Sequence, residues 1–307
     1  MSLTLLTLRT RVSRRIGKSD TDYLTKIEDW LDERYDFVIR RRNWRRLVRQ
    51  VDVSAVANAE TMVLPKDVEI VLAVYDREND LYLDPVEVGP ANRLYGEIQD
   101  ESGTPRKYFP EEDTVNAQPT SASALAVSSS DAADTTQKVR VIGIAGGEQR
   151  TETVTLNGTT AVNTVNSYTR VIAISKDGNT AGVITVTSNA AAVTVATIDP
   201  LDVAPRYPKL HLIRRPDSAI SYTVTYKVKV PPLINAEDVP LIPCESVLIR
   251  GAYADALAEQ KQFEKAAIEE AMFDKFLANL ITEEEQHPDM VHRAIPHIER
   301  AAIDETP

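Results

Sequence analysis

Apolar residues recur at helical spacing near both ends of this chain and alternate with polar ones through its middle. Leu5, Leu8, Val12 and Ile16 predict a helix over about 3–16, with Arg9, Arg11, Arg14 and Arg15 off its stripe and Gly17 as its stop. Ser19 or Asp20 can cap a second helix carrying Leu24, Ile27, Leu31 and Val38, widened by Tyr23, Trp30 and Tyr35 and closing in the arginine run 40–46. Near the other end, Glu245 to Glu259 leaves little polar face, which predicts a helix packed on several sides. Gly251 in it costs about 1 kcal/mol against alanine, so close approach of another helix is the expected compensation. A last helix over about 262–281 repeats Ile268, Met272, Phe276 and Leu280, with Phe273 and Leu277 beside them. Glu264, Lys265, Glu269, Glu270 and Asp274 form its expected wet face.

Between these ends the period changes to two. Short strands are expected near 51–53, 61–64, 69–75, 81–83 and 106–109, with a hairpin tip at 77–80 and a short helix at 90–96. Residues 117–136, rich in Ser, Ala, Thr and Asp, read as a linker. Residues 137–198 hold five or more Val- and Thr-rich strands with Asn157-Gly158 and Asp177-Gly178 as turn pairs, which suggests a small antiparallel sandwich. Strands at 209–213 and 222–230 follow. In the latter Tyr222, Val224, Tyr226 and Val228 face one way, and Thr223, Thr225, Lys227 and Lys229 face water. Pro231 and Pro232 end that ladder. The expected fold class is α+β: a four-helix bundle-like core with a small antiparallel sheet, interrupted by an inserted antiparallel β-sandwich. The core is residues 1–113 and 205–286, the insert 114–204, and an extended tail 287–307.

Length and charge refine this. A chain of 307 residues allows two domains or one with an insertion. No apolar run reaches the roughly 18 residues of a membrane span, and the threonine-broken start does not resemble a secretion signal. A lone Cys244 excludes an internal disulfide or a thiolate zinc site and is expected to be buried. The net charge of −11 argues against wrapping DNA with the whole surface. It is unevenly placed: residues 1–50 hold 13 basic against 7 acidic residues, and residues 245–307 hold 6 against 14. Such a split favours oriented contact with copies of the chain or with a charged partner. The five arginines Arg40, Arg41, Arg42, Arg45 and Arg46 suit a helix end and contact with protein or solvent; contact with a phosphate backbone is the alternative.

Residue types for catalysis do not assemble. His287, His292 and His297 recur every five residues, a turn of about 140° per step on a helix, and Pro288 and Pro296 interrupt them. His211 stands apart, Glu283-Glu-Glu285 reads as a solvated helix end, and Gly146-Gly147 reads as a strand turn and not a phosphate cradle. No nucleophile elbow or His-Glu-x-x-His motif occurs. The expectation is a non-enzyme with no catalytic residue, cofactor or metal.

The ordered pieces Leu8-Arg-Thr-Arg-Val-Ser-Arg-Arg-Ile-Gly17, Trp44, Leu64-Pro65 before Val71-Leu-Ala-Val-Tyr75, Gly103-Thr-Pro-Arg-Lys-Tyr108, Leu212-Ile-Arg-Arg-Pro-Asp217, Tyr222-Thr-Val-Thr-Tyr226, Pro231-Pro-Leu233 and Leu241-Ile-Pro243 resemble bacteriophage head–tail connector adaptors. They span about 3–113 and 205–281. Many such adaptors lack the sandwich, which resembles the immunoglobulin-like (Ig-like) modules of phage structural proteins. The resemblance implies a structural virion protein at the head–tail interface, made in the host cytoplasm. It implies identical subunits in a ring of about twelve copies, docked on a portal protein, receiving tail or neck proteins, lining the DNA passage and touching passing DNA without sequence preference. It implies no membrane. The expected portal or neighbour-subunit contacts are Arg40, Arg41, Arg42, Arg45, Arg46, His287, His292, His297 and Ile298, with the C-terminal tail reaching the portal. The alternative is a virion binding module whose Ig-like insert recognises capsid, tail fibre or a host-surface ligand. Tyr168 is the single aromatic between Lys138 and Ile198, which makes glycan stacking weak.

Overall fold

A computed structural model describes residues 3–87 and 101–286. The short helix expected over 90–96 and the tail 287–307 lie outside the described residues. The protein is mixed α+β, with four helices and several small, mostly antiparallel sheets among the described residues. It divides into two compact units: Met1–Gln50 with Glu69–Ala73 and Thr225–Pro307, and Val51–Val68 with Val74–Val224.

The first unit holds α1 (Leu5–Ile16), α2 (Thr21–Arg40), α3 (Glu245–Glu259) and α4 (Phe263–Gln286). Thr4 caps α1 by accepting from the Thr7 N–H, and Gly17 ends it in the left-handed region at φ +75°. Asp20 caps α2 by accepting from the Tyr23 N–H at 3.0 Å. The helix stops at Arg40, short of the expected close at 46. The indole N–H of buried Trp44 donates to the Val38 carbonyl at 2.8 Å and satisfies one of the last carbonyls that the helix leaves open. Leu5, Leu8, Ile27 and Leu31 from the start of the chain and Leu248, Ala252, Phe273 and Leu277 from its other end form one apolar core. Cys244 is buried in it, and burial pushes its thiol up to about 12.

One side chain ties these helices. Arg34 of α2 donates from Nε and Nη2 to Asp255 of α3 at 2.8 and 2.7 Å. From Nη1 and Nη2 it donates to Glu270 of α4 at 2.7 and 2.8 Å. Its guanidinium also stacks 4.8 Å from the centre of the Phe273 ring. Gly251 makes room: a Cβ there would stand 2.9 Å from Arg34 Cδ and 3.0 Å from Phe273 Cδ2. Close packing does therefore compensate for the glycine.

The expected faces of α4 need correction. Phe273 and Leu277 are buried and Phe276 and Leu280 pack against the same core, as expected, yet the other half of the stripe does not: Ile268 is 63% and Met272 38% exposed. Glu270 and Glu269, read as wet, meet Arg34 and Arg250 (2.8 Å for the latter). Arginines on α2 and α3 draw these carboxylates inward, which turns the helix and leaves Ile268 opposite the core. The helix also runs past Ile281 to Gln286, so Glu283-Glu-Glu285 is its last turn and not a loose end.

In the second unit, β7 (Leu125–Ser129), β10 (Val162–Asn163), β12 (Ile184–Ser188) and β13 (Val193–Ile198) form a sheet ordered β10-β7-β12-β13. A second sheet, β11-β8-β9, comprises β11 (Tyr168–Lys176), β8 (Lys138–Ala145) and β9 (Glu148–Thr155). Both contribute to one core that includes Val127, Val141, Tyr168 and Val186. Gly146 and Gly147, at φ +61° and +84°, make the two-residue turn between β8 and β9. The stretch 117–136 is not a linker. Its Leu125, Val127 and Ser129 point inward from β7, an alternation that the Ser- and Ala-rich composition hid.

Two further sheets occur where one small sheet was expected. The first is β2 (Thr61–Val63), β14 (Tyr207–Ile213), β6 (Lys107–Asp113) and β5 (Asp84–Pro85), ordered β2-β14-β6-β5, with β5 and β6 parallel. The second is β1 (Val48–Ala55), β15 (Ile220–Val228), β3 (Val68–Asp76) and β4 (Leu81–Tyr82), ordered β1-β15-β3-β4. It contributes 48–50, 69–73 and 225–228 to the first unit and its other residues to the second.

Asp134 is buried within the second unit. Burial alone would raise its pKa, but the Ser129 hydroxyl (2.5 Å) and the N–H groups of Ala181 (2.8 Å) and Gly182 (2.9 Å) donate to it, and the net shift is downward.

Two outcomes follow for stability. Arg34→Ala should lower the unfolding free energy in urea by about 3 kcal/mol, because two carboxylates lose their shared partner, and Arg34→Lys should recover only part. A loss within the ~0–1 kcal/mol of an exposed pair would mean that the clamp is a solvent contact. The Asp134 contribution is full above its ordinary value of 3.8 and is lost as pH falls through the depressed folded value. Acid melts of wild type and Asp134→Asn should therefore converge below that value. Parallel melts from neutral to acid pH would remove Asp134 from the acid response.

Candidate functional site

The arginine run at the end of α2 is resolved residue by residue. Arg40 is exposed and donates from Nε to Asp36, one turn earlier, at 2.8 Å. Arg42 lies 5.8 Å from the Trp44 ring centre and donates to the Ile281 carbonyl and the Glu285 carboxylate, both at 3.3 Å. Arg45 gives its backbone N–H to the Glu284 carboxylate at 2.7 Å and Nη2 to the Glu284 carbonyl at 2.9 Å. Arg42 and Arg45 thus neutralise the carbonyl end of α4, where the helix dipole favours cations. Arg41 and Arg46 are exposed and unpaired among the described residues. His287, His292, His297 and Ile298 lie outside the described residues.

Beside this run an open cleft of about 430 Å³ is lined by Asp36, Ile39, Arg40, Arg42 and Asn43 of the α2 end, Glu69 and Ile70, and Lys227 to Val230. A smaller one of about 170 Å³ shares Asp36, Ile39 and Val230 and adds Asp32, Tyr35, Pro231 and Pro232. In it, burial raises the Asp32 carboxyl although the Leu233 N–H donates to it at 2.7 Å. Burial likewise pushes the Tyr35 phenol up to about 12.

Lys227 is the residue that sequence reading misplaced. Alternation puts it on the wet face with Thr223 and Thr225, yet it is 4% exposed and adjoins buried Tyr226. Its ammonium donates to the Ile39 carbonyl at 3.0 Å, near the end of α2. The requirement to satisfy that carbonyl comes from tertiary packing, and a strand pattern does not encode it. Burial lowers the lysine pKa; Glu69 and Asp36 oppose that shift, and Arg40 adds to it. Asn43 and Glu69 also carried no signal in the sequence. His211, singled out there, stacks on Phe109 with ring centres 4.5 Å apart.

Among the described residues, no group of three or more His, Cys, Asp or Glu is placed to hold a metal ion. No described helix is long and apolar enough to cross a membrane. Compared with known proteins, the chain matches no family model and no curated protein.

Lys227→Met keeps the buried length and removes the charge. Because the folded pKa of Lys227 lies below its ordinary 10.5, the unfolded chain binds more protons as pH rises toward that value, and wild type gains stability there. Urea melts of the two proteins should show a gap that shifts in favour of wild type across that window. A pH-independent gap would mean that the ammonium is as well solvated folded as unfolded.

Proposed function

We propose that this protein is a structural head–tail adaptor of a bacteriophage virion, acting as one subunit of a homo-oligomeric ring of about twelve copies. In this reading the ring docks on the portal protein, receives tail or neck proteins and lines the DNA passage, with no catalytic step. The helical core is taken as four-helix bundle-like, and the two sheets around Val127 and Val141 as an inserted Ig-like sandwich.

One observation carries the reading. Helices from opposite ends of the chain share a single core, while α4 turns Ile268 and Met272 outward, opposite that core. Phe263, 67% exposed, stands at the start of the same helix. An apolar stripe on the wet side of a charged helix is the surface a second protein would cover. Stable contacts between copies bury more than about 1,000 Å², so side chains of this kind, and not exposed ion pairs, must carry them. Exposed Arg11, Arg14, Arg15 and Lys18 on and after α1 give the same unit a basic face that can set register against an acidic neighbour. The motif order adds support, since Trp44, Leu233 and Ile242 all lie in the helical core.

Mass photometry of the full chain, alone and with portal protein, tests this. A closed ring is expected, and Ile268→Glu with Met272→Glu should shift it to monomers while the thermal melt stays cooperative. A wild-type chain that remains monomeric at high concentration in both conditions would overturn the reading.

A further inference from the structure

Two outward rows of the helical unit match one another. On α1, Leu6, Thr10 and Arg14 follow at four-residue steps; Leu6 is 44% exposed and Arg14 is exposed. On α4, Glu264, Ile268 and Met272 do the same, and exposed Ala267 and Ala271 leave a shallow groove beside them. Residues four apart form the ridges by which helices pack, and such a ridge fits the equivalent groove of another helix. The rows also carry charge at their ends. The Leu5 and Leu6 N–H groups donate to the Asp238 and Ala236 carbonyls at 2.8 and 3.0 Å, which holds exposed Glu237 beside the start of α1. The α1 row thus runs from acid through Leu6 to base. The α4 row runs from Glu264 through its apolar residues to exposed Lys275. Among the described residues Arg14, Glu237, Glu264 and Lys275 have no ion-pair partner. Both helices pack on α3 and turn these rows away from it, so the rows do not meet within one chain.

We propose that they meet between chains. α1 of one copy lies antiparallel on α4 of the next, with Leu6 on Met272 and Thr10 on Ile268. Arg14 then faces Glu264 at one end, and Glu237 faces Lys275 at the other. Charge fixes the direction: a parallel arrangement sets Arg14 toward Lys275 and Glu237 toward Glu264, and opposed like charges cost several kcal/mol. The occupant is a second copy because one chain carries both halves of the match. The two halves are different surfaces, so the contact is head-to-tail, and each copy offers α1 to one neighbour and α4 to the other. This deepens the ring reading by naming its joint and rests on that reading for closure alone.

Oxidative cross-linking of full chains is the test. Leu6→Cys and Met272→Cys replace exposed side chains, and native Cys244 is buried. A mixture of the two variants should give a disulfide between different chains, and neither variant alone should. A second measurement reads the charges: Arg14→Glu should raise the concentration at half-assembly about tenfold, and adding Glu264→Arg should restore it. A disulfide within either single-variant sample marks a like-with-like contact and overturns the proposal. No mixed disulfide, or no restoration by the charge swap, overturns it too. Closed rings without the mixed disulfide would sink this joint and leave the ring; a mixed disulfide found only in open chains would uphold the joint and sink the ring.

Discussion

Arg34 is the constraint around which the helical unit is arranged. One planar guanidinium satisfies two carboxylates from different helices and lies on an aromatic ring between them. That geometry is available to arginine and not to lysine, because the fork fixes the directions of all four hydrogen bonds. It also dictates its surroundings. The third helix needs a glycine where the arginine crosses, and the fourth must present Glu270 and Phe273 on neighbouring positions of one face. The outward position of Ile268 follows, since a helix that turns its glutamates toward arginines must turn something else to water.

The same device recurs at smaller scale. Arg9 meets Glu28, Arg250 meets Glu269, and Arg42 and Arg45 hold the end of α4. The last two, like the Arg34 pairs, join elements far apart in sequence, so the contrast between a basic beginning and an acidic end is partly consumed within the chain itself. What remains at the surface, including Arg41 and Arg46, is what a partner can meet. Charge that can set the register of such a contact is therefore this remainder, and not the total that composition reports.

Much of this was legible in the sequence. The helix positions followed from spacing and caps, and the third helix was read with its observed bounds, because a run with almost no polar face admits few alternatives. The crowded role of Gly251 followed from its cost. Other features were hidden for physical reasons. Glu269 and Glu270 look like solvated positions until their arginine partners, on other helices, are known. Leu125 and Val127 sit in a Ser- and Ala-rich stretch whose composition outweighed a five-residue alternation. Lys227 breaks its strand's pattern because a carbonyl from α2 needs a donor there, which only tertiary structure supplies.

The central claim is that the two ends of the chain form one cooperative body held by Arg34. Native-state hydrogen exchange measured with increasing denaturant reads this directly. Buried amides of α1 and α2 should merge with those of α3 and α4 into one opening reaction with a common free energy. Separate openings, with the amino-terminal pair exchanging while the carboxy-terminal pair stays protected, would contradict the account.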